Sequence, residues 1–386
     1  MNSKNMKRIS LILGIFLVIS SGLAAQSQEN LAKQLKDSGY YQVKILPFTE
    51  VKNQGATGTC WDFSTLSFIE SELYKKGMGY VDLSEMYLVH EIYYDKAKNY
   101  ILRQGNARFS EGGLGHDVIR GIAQYGAMPE DQFTGYQNAE RRHSHVGFEA
   151  EGKKFLDNLV EKKDFLDWGY LFGNIMHNYI PRPPKEFEID GKKYTPQSYA
   201  SEVLKYDGND YIGFTSFTHH PFYKSFVVEV PDNYSNGAYY NLPLDEFTQV
   251  TKNALKAGYT VLWDADVSNA GFKQGQGLAM NIDRVDGVFN QSINERPIDQ
   301  KQRQKLFENL TTQDDHLMHI VGTCSNKEGN VFFIVKNSWG ANAGPFGGLI
   351  VVSESYFQTN TITIIMNKNG VSKDLLKNLK GPSILD

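Results

Sequence analysis

The chain changes character near Ser225, and that change limits its architecture more than any other feature. Ahead of it, apolar residues recur at helical spacing. Phe63, Leu66, Ile69 and Leu73 form one such run, stopped by Gly77 and Gly79. A second starts at Leu83-Ser84-Glu85 and heads toward Gln104, with Gly105 as its stop. A third follows the turn Glu111-Gly112-Gly113 and carries Val118, Ile119 and Ile122. More helix is expected over 150–178, until Pro181, Pro183 and Pro184 break the pattern. Behind Ser225, β-branched and aromatic runs predict strands at Phe226–Val230, Thr260–Ala265, Leu317–Cys324, Val331–Val335, Leu349–Val352 and Thr361–Met366, with one helix at Leu244–Ala257. Helices first and antiparallel strands second predict an α+β fold. A helical lobe is expected over 26–224, with a polar insertion about 140–220 packed on its surface, and a β-rich lobe over 225–386. With 386 residues, 41% of them hydrophobic, the chain can build two lobes around a shared cleft.

The first residues read as an export signal. Lys4, Lys7 and Arg8 form a basic start, Ile9 to Ile19 an apolar run too short for a membrane span, and Gly22-Leu23-Ala24-Ala25 a small-residue cleavage site. Residues 1–25 are therefore expected to be removed, with the protein in a bacterial periplasm or outside the cell. Their loss takes away three basic groups and no acid, moving the formal charge from −4 to −7. That balance argues against nucleic acid or a stable membrane association.

Two cysteines occur, Cys60 and Cys324, and an exported protein can use such a pair as a disulfide. Their surroundings differ, however. Cys324 ends an apolar strand and reads as a small buried hydrophobe. Cys60 follows the loop Asn53-Gln54-Gly55-Ala56-Thr57-Gly58-Thr59 and opens a helix, where unpaired N–H groups favour a thiolate. Gln54 in the same loop offers a side-chain amide to an oxyanion, a contribution of about 3 kcal/mol per donor. A thiol nucleophile needs a base, and the base needs an orienting acceptor. His316 enters one strand and Asn337 leaves the next, with Ser325-Asn326-Lys327-Glu328-Gly329-Asn330 as the turn between them. A hairpin centred between Asn326 and Lys327 would set His316 directly across from Asn337. His319 is the alternative base, on the opposite face of the strand. The close pairs His143/His145 and His219/His220 lack a third ligand at zinc-like spacing, so no metal or other cofactor is expected. Asp314 and Asp315 read as solvated loop carboxylates, and Tyr93, Tyr94 and Tyr100 as packing or a carbohydrate-binding floor.

The segment Gln54 to Ser64, with Cys60-Trp61-Asp62-Phe63-Ser64 at its end, resembles the nucleophile segment of papain-like cysteine peptidases. Lys336-Asn337-Ser338-Trp339-Gly340 resembles their asparagine segment. Leu83-Ser84, Glu111-Gly112-Gly113, Tyr125 to Pro129, Thr260 to Val267, His316-Leu317-Met318, Met366-Asn367-Lys368 and Gly381-Pro382 extend the likeness to the bleomycin hydrolase and aminopeptidase C branch. The resemblance implies a helical lobe and a barrel-like antiparallel lobe with the cleft between them. It implies Gln54, Cys60, His316 and Asn337 as catalytic residues, Trp339 as a shield over the His316–Asn337 bond, and Gly112 and Gly113 along the substrate. It also implies an aminopeptidase acting on peptides or proteins, and a homo-oligomer, a hexamer in that family; that branch is intracellular, whereas the export signal read above places this protein outside the cytoplasm. The sequence ends at Ser383-Ile384-Leu385-Asp386, short of the tail that fills the cleft in that branch. An endopeptidase with an open cleft is thus the alternative, and a non-catalytic binding protein on the same scaffold is a third reading.

Overall fold

A computed structural model describes residues 28–137, 140–284 and 288–386; the expected export signal at 1–25 lies outside them. The helices fall where the apolar spacing and stop signals put them, at Cys60–Lys75, Glu85–Leu102, Gly115–Tyr125, Phe148–Lys162, Trp168–Met176 and Leu244–Lys256. Ser84 caps the second by accepting from the Tyr87 N–H, as the Leu83-Ser84-Glu85 start requires.

The Cys60–Lys75 helix is buried on every face rather than along one stripe. It lies between the helical cluster and the sheet, and several of its polar side chains bond to what they touch, although the Asp62 carboxyl and the Ser71 hydroxyl have no such partner among the described residues. Ser64 Oγ donates to the Leu317 carbonyl at 2.7 Å, Ser67 Oγ meets His319 Nδ1 at 2.9 Å, and Glu72 accepts from Asn367 Nδ2 at 2.7 Å. Buried polar groups without such partners would each cost about 1–3 kcal/mol.

Among the described residues the main sheet has eleven strands. Its middle runs antiparallel through Thr361–Asn367, Val261–Ala265, His316–Ser325, Val331–Lys336 and Leu349–Ser353. Side chains alternate across it. Leu262, Leu317 and Ile365 face the helical cluster, while Trp263, Met318 and Ile364 face the core covered by Leu244–Lys256.

Three details depart from expectation. The division of the chain is not clean: Tyr41–Ile45 and Tyr211–Thr215, both ahead of Ser225, are strands of this sheet. The stretch expected as a surface insertion contributes Phe148, Leu156, Phe172, Phe187 and Tyr199 to the main helical core. Finally, the hairpin is out of the expected register. His319 pairs with Lys336 and Ser325 with Val331, with a bulge between Ile320 and Gly322, so His316 lies across from Ala265 and not Asn337. The offset is set at the turn, where Ser325 pairs with Val331 and leaves residues 326–330 as the loop; the bulge then shifts the pairing by one where the His316–Ser325 strand changes partner on its other edge. The first half of that strand pairs with Val261–Ala265 and its second with Tyr41–Ile45, and the Val321 carbonyl at the bulge accepts from the Leu46 N–H at 2.7 Å. Gly322 is required there, because a Cβ would stand 2.2 Å from the Lys44 carbonyl oxygen.

Candidate active site

Cys60, His316 and Gln54 line one cavity of about 530 Å³ between the helical cluster and the sheet. Cys60 is the first residue of its helix, and neither it nor Cys324 is bonded to another sulfur, which removes the disulfide alternative. Cys324 is buried beside Tyr40 and Phe332, as a small hydrophobe would be.

The loop before Cys60 is held by main-chain and side-chain bonds from several parts of the chain. The Gln54 N–H donates to the Ser338 carbonyl, the Ala56 N–H to the His143 carbonyl, and the Gly58 N–H to Glu111 Oε2 at 2.7 Å. Gly55 has φ +69°, and a Cβ would fall 2.3 Å from the His143 oxygen, so this turn admits only glycine. The Gln54 side chain accepts from Ser338 Oγ at 2.6 Å and donates one Nε2 hydrogen to the Thr57 carbonyl at 2.8 Å. An amide nitrogen carries a second hydrogen, which remains for a group entering the cavity.

His316 Nε2 donates to Asn337 Oδ1 at 2.7 Å, although the two residues are not ladder partners. Side-chain reach makes the bond that the backbone register does not. The same Oδ1 accepts from the Ser338 N–H at 2.7 Å, and Asn337 Nδ2 donates to Gln274 Oε1 at 3.0 Å. Asn337 is thereby fixed from three sides, and His316 keeps Nδ1 as its free ring nitrogen. The Trp339 ring lies 4.8 Å from the His316 ring, tilted by 30°, and also meets Phe272 edge-on. His319, the alternative base, points to the other face of the strand. It is fully buried against Ser67 and Phe68, away from the cavity.

The electrostatics run against the sequence expectation of a lowered thiol pKa. Burial pushes the Cys60 thiol up to about 12; the Leu317 N–H opposes this, while Asp314, Asp264 and Asp232 add to it. Burial also pulls His316 below the usual imidazole range, opposed by its bond to Asn337 and by Asp315. Both shifts favour a neutral thiol beside a neutral imidazole. Such a pair can react by passing the proton from sulfur to nitrogen as the sulfur attacks.

Gly112 and Gly113 line the cavity, but the space that each leaves is filled from within. A Cβ on Gly112 would stand 2.0 Å from Asp232 Oδ2, and one on Gly113 would stand 3.0 Å from the Trp61 ring. The Gly112 carbonyl accepts from the buried Lys96 ammonium. Asp314 is not a solvated loop carboxylate: it faces the buried Asp264 across the cavity wall. Sequence reasoning missed Asp232, Asp264 and Gln274, none of which carries a local signal. Tyr93 and Tyr100 pack on Phe148 and Phe109 and form no floor to the cleft. His219 and His220 do find a third ligand type. Glu229 accepts from both, and the ligand atoms of the trio lie within 4.8 Å of one another.

Comparison with known proteins bears on this arrangement. Residues 175–385 match the Peptidase C1-like family, and residues 39–219 match the Papain family cysteine protease description. The chain is 24% identical over 379 residues to Aminopeptidase G of Lactobacillus delbrueckii subsp. lactis, covering 85% of this chain and 83% of that protein. It is 24% identical over 394 residues to Bleomycin hydrolase of Mus musculus, covering 87% and 84%. The crystal structure of PepW from Lactobacillus rhamnosis HN001 superposes with a TM-score of 0.68 at 16% identity, over 98% of this chain and 94% of that one. At that identity the superposition speaks for the fold, which is papain-like.

Proposed function

The chain belongs to the Peptidase C1-like family and is a cysteine-type peptidase of the aminopeptidase C and bleomycin hydrolase kind, and from that premise we propose that it removes residues from peptide N-termini through a thioester on Cys60. Cys60 Sγ attacks the scissile carbonyl carbon while its proton passes to His316 Nδ1. The oxyanion takes the unused Nε2 hydrogen of Gln54 and the Cys60 backbone N–H. His316 then protonates the departing amine, leaving the acyl group on sulfur. Water attacks the thioester with His316 as base, which frees the acid and restores the thiol. Asn337 holds the imidazole in the orientation that leaves Nδ1 free, and the Trp339 indole covers that bond from solvent.

One observation carries this reading: His316 Nε2 is bound to Asn337 at 2.7 Å, while Cys60, His316 and Gln54 line a single cavity. An epoxide thiol inhibitor is expected to label Cys60 and to abolish hydrolysis of an aminoacyl coumarylamide. A protein that neither hydrolyses such a substrate nor is labelled at Cys60 would instead be a binding protein on the same scaffold. Activity on an internally quenched peptide with a blocked N-terminus would make it an endopeptidase.

We extend the proposal to export, supported by the basic and apolar pattern of residues 1–25. Mass spectrometry of protein recovered from the producing cells should give an N-terminus near residue 25. An intact Met1 in cytosolic protein would refute it.

A further inference from the structure

The cavity beside Cys60 is acidic. Glu111, Glu149, Asp232, Asp314 and Asp315 line it, against Arg108 as the one cation among the described lining residues. Three of the nearby carboxyls gather at one place. Asp264 belongs to the strand Val261–Ala265, where it pairs with Leu317, and it is 1% exposed. Asp314 sits two residues before His316 and lines the cavity. The two carboxyl groups face each other within hydrogen-bond reach, and apart from that mutual contact Asp264 Oδ1 and Asp314 Oδ2, both buried, receive no N–H or O–H from the described residues packed on them. Thr363 Oγ1 reaches only the other oxygen of Asp264, at 3.1 Å. Asp232 closes the third side. Its Oδ1 takes Ser110 Oγ at 3.0 Å and Arg108 Nε at 3.4 Å, while Oδ2 lies against Gly112.

Buried carboxyls that touch without a donor between them can coexist only by sharing a proton. Burial, and then the charge of Asp232, push Asp314 up to about 7, while the hydrogen bond with Asp264 opposes that rise. An anionic ligand would be repelled here, and a neutral one would bring no charge to offset the three carboxyls. An alkylammonium brings three N–H donors and a positive charge, so it can replace the shared proton and satisfy several acceptors together.

We propose that Asp232 and Asp314, backed by the buried Asp264, form a subsite in the Cys60 cleft that holds the ammonium group of a bound peptide. This rests on the peptidase reading above and supplies its selectivity: a chain end or a basic side chain is gripped at a fixed distance from the sulfur. Entry of the ammonium releases the shared proton to solvent: the carboxylic O–H bond breaks, its electron pair stays on the carboxylate, and the proton passes to water.

The test compares wild type, Asp232→Asn, Asp314→Asn and the double variant Asp264→Asn/Asp314→Asn on three coumarylamides: alanyl, N-acetylalanyl and N-acetylarginyl. Wild type should prefer a cationic substrate over the uncharged N-acetylalanyl one. In each variant that preference should collapse by about 10–100-fold, carried mainly by KM. Collapse for the alanyl substrate identifies the chain-end ammonium as the ligand, and collapse for N-acetylarginyl identifies the side chain. Asp232 is half-buried at the cleft edge, so its variant keeps the test alive if the buried pair cannot be changed without unfolding. An active wild type whose preferences are absent, or unchanged in the variants, overturns the subsite alone. A wild type that cleaves nothing and resists the epoxide overturns the peptidase reading with it.

Discussion

Replacing Asn337 with alanine tests how the imidazole is held. In the folded protein Asn337 Oδ1 accepts from His316 Nε2 and from the Ser338 N–H, both at 2.7 Å, and all three groups are buried. Alanine leaves two buried donors unmatched, which should cost about 2–5 kcal/mol of stability. Catalysis should suffer through a different route. When His316 accepts the thiol proton it becomes an imidazolium, and its bond to Asn337 becomes charge-assisted, contributing about 1.5–3 kcal/mol. The neutral bond is lost in the ground state as well, so only the gain of about 1–1.5 kcal/mol on charging enters kcat, which falls by about 5–13-fold. Because the bond strengthens only as the reaction proceeds, KM should stay within about twofold. Steady-state kinetics on an aminoacyl coumarylamide, with a melting curve to show that the variant is folded, give both numbers. A folded variant that loses less than about threefold in kcat, or loses activity through KM alone, would refute the assignment of Asn337 to the imidazole. Asn337→Asp should behave differently. A carboxylate at that place stabilises the imidazolium and raises the pKa of His316, so the acid limb of the pH–rate profile should move to higher pH.

The remaining predictions concern the sulfur and its surroundings. With the Cys60 thiol pushed up to about 12, iodoacetamide should alkylate it about tenfold faster per pH unit from pH ~7 to ~10; a plateau near neutral pH would reveal a preformed thiolate–imidazolium pair. Gly112→Ala would drive a Cβ to within 2.0 Å of Asp232 Oδ2, so calorimetry should find a loss of about 1–3 kcal/mol; an unchanged melting temperature would mean that Asp232 swings clear without cost. Trp339→Ala should let water reach the His316–Asn337 bond and lower kcat/KM by about tenfold, and full activity would deny the indole that role. Gln54→Ala should lower kcat by about 100-fold if its amide serves the oxyanion, whereas a loss confined to stability would leave it as a brace for the loop.

Local pattern was enough to find the parts of the site that sit at the ends of secondary structure. A cysteine after a glycine-punctuated loop and at the head of an apolar 3.6-residue period could be placed at a helix start without knowing what surrounded it. The histidine and asparagine stood at strand ends for similar reasons. Their contact was anticipated on the wrong ground: the turn is centred on Glu328 and not between Asn326 and Lys327, and a bulge shifts the ladder again where the His316–Ser325 strand leaves its partner Tyr41–Ile45. Nothing in the polar stretch around Tyr41 encodes that partnership. The same limit hid the carboxyl cluster. Asp314 looks solvated until Asp264, fifty residues before it, is seen to occupy the neighbouring strand, and Asp232 carries no pattern of its own. The helix behind Cys60 misleads in another way. Its serines and glutamates look like a wet face in sequence, but Ser64, Ser67, Glu70 and Glu72 bond across to the sheet and adjoining loops.

The peptide groups of Leu317 grip the first turn of the Cys60 helix at both ends. Its N–H is directed at the sulfur, and its carbonyl takes the hydroxyl of Ser64, four residues along the helix. Spacing between sulfur and imidazole is thus clamped by backbone, one residue beyond the histidine itself. Mutational drift at position 317 can alter the hydrophobic filling and still preserve that alignment; proline, which removes the N–H, is the substitution that would loosen the clamp.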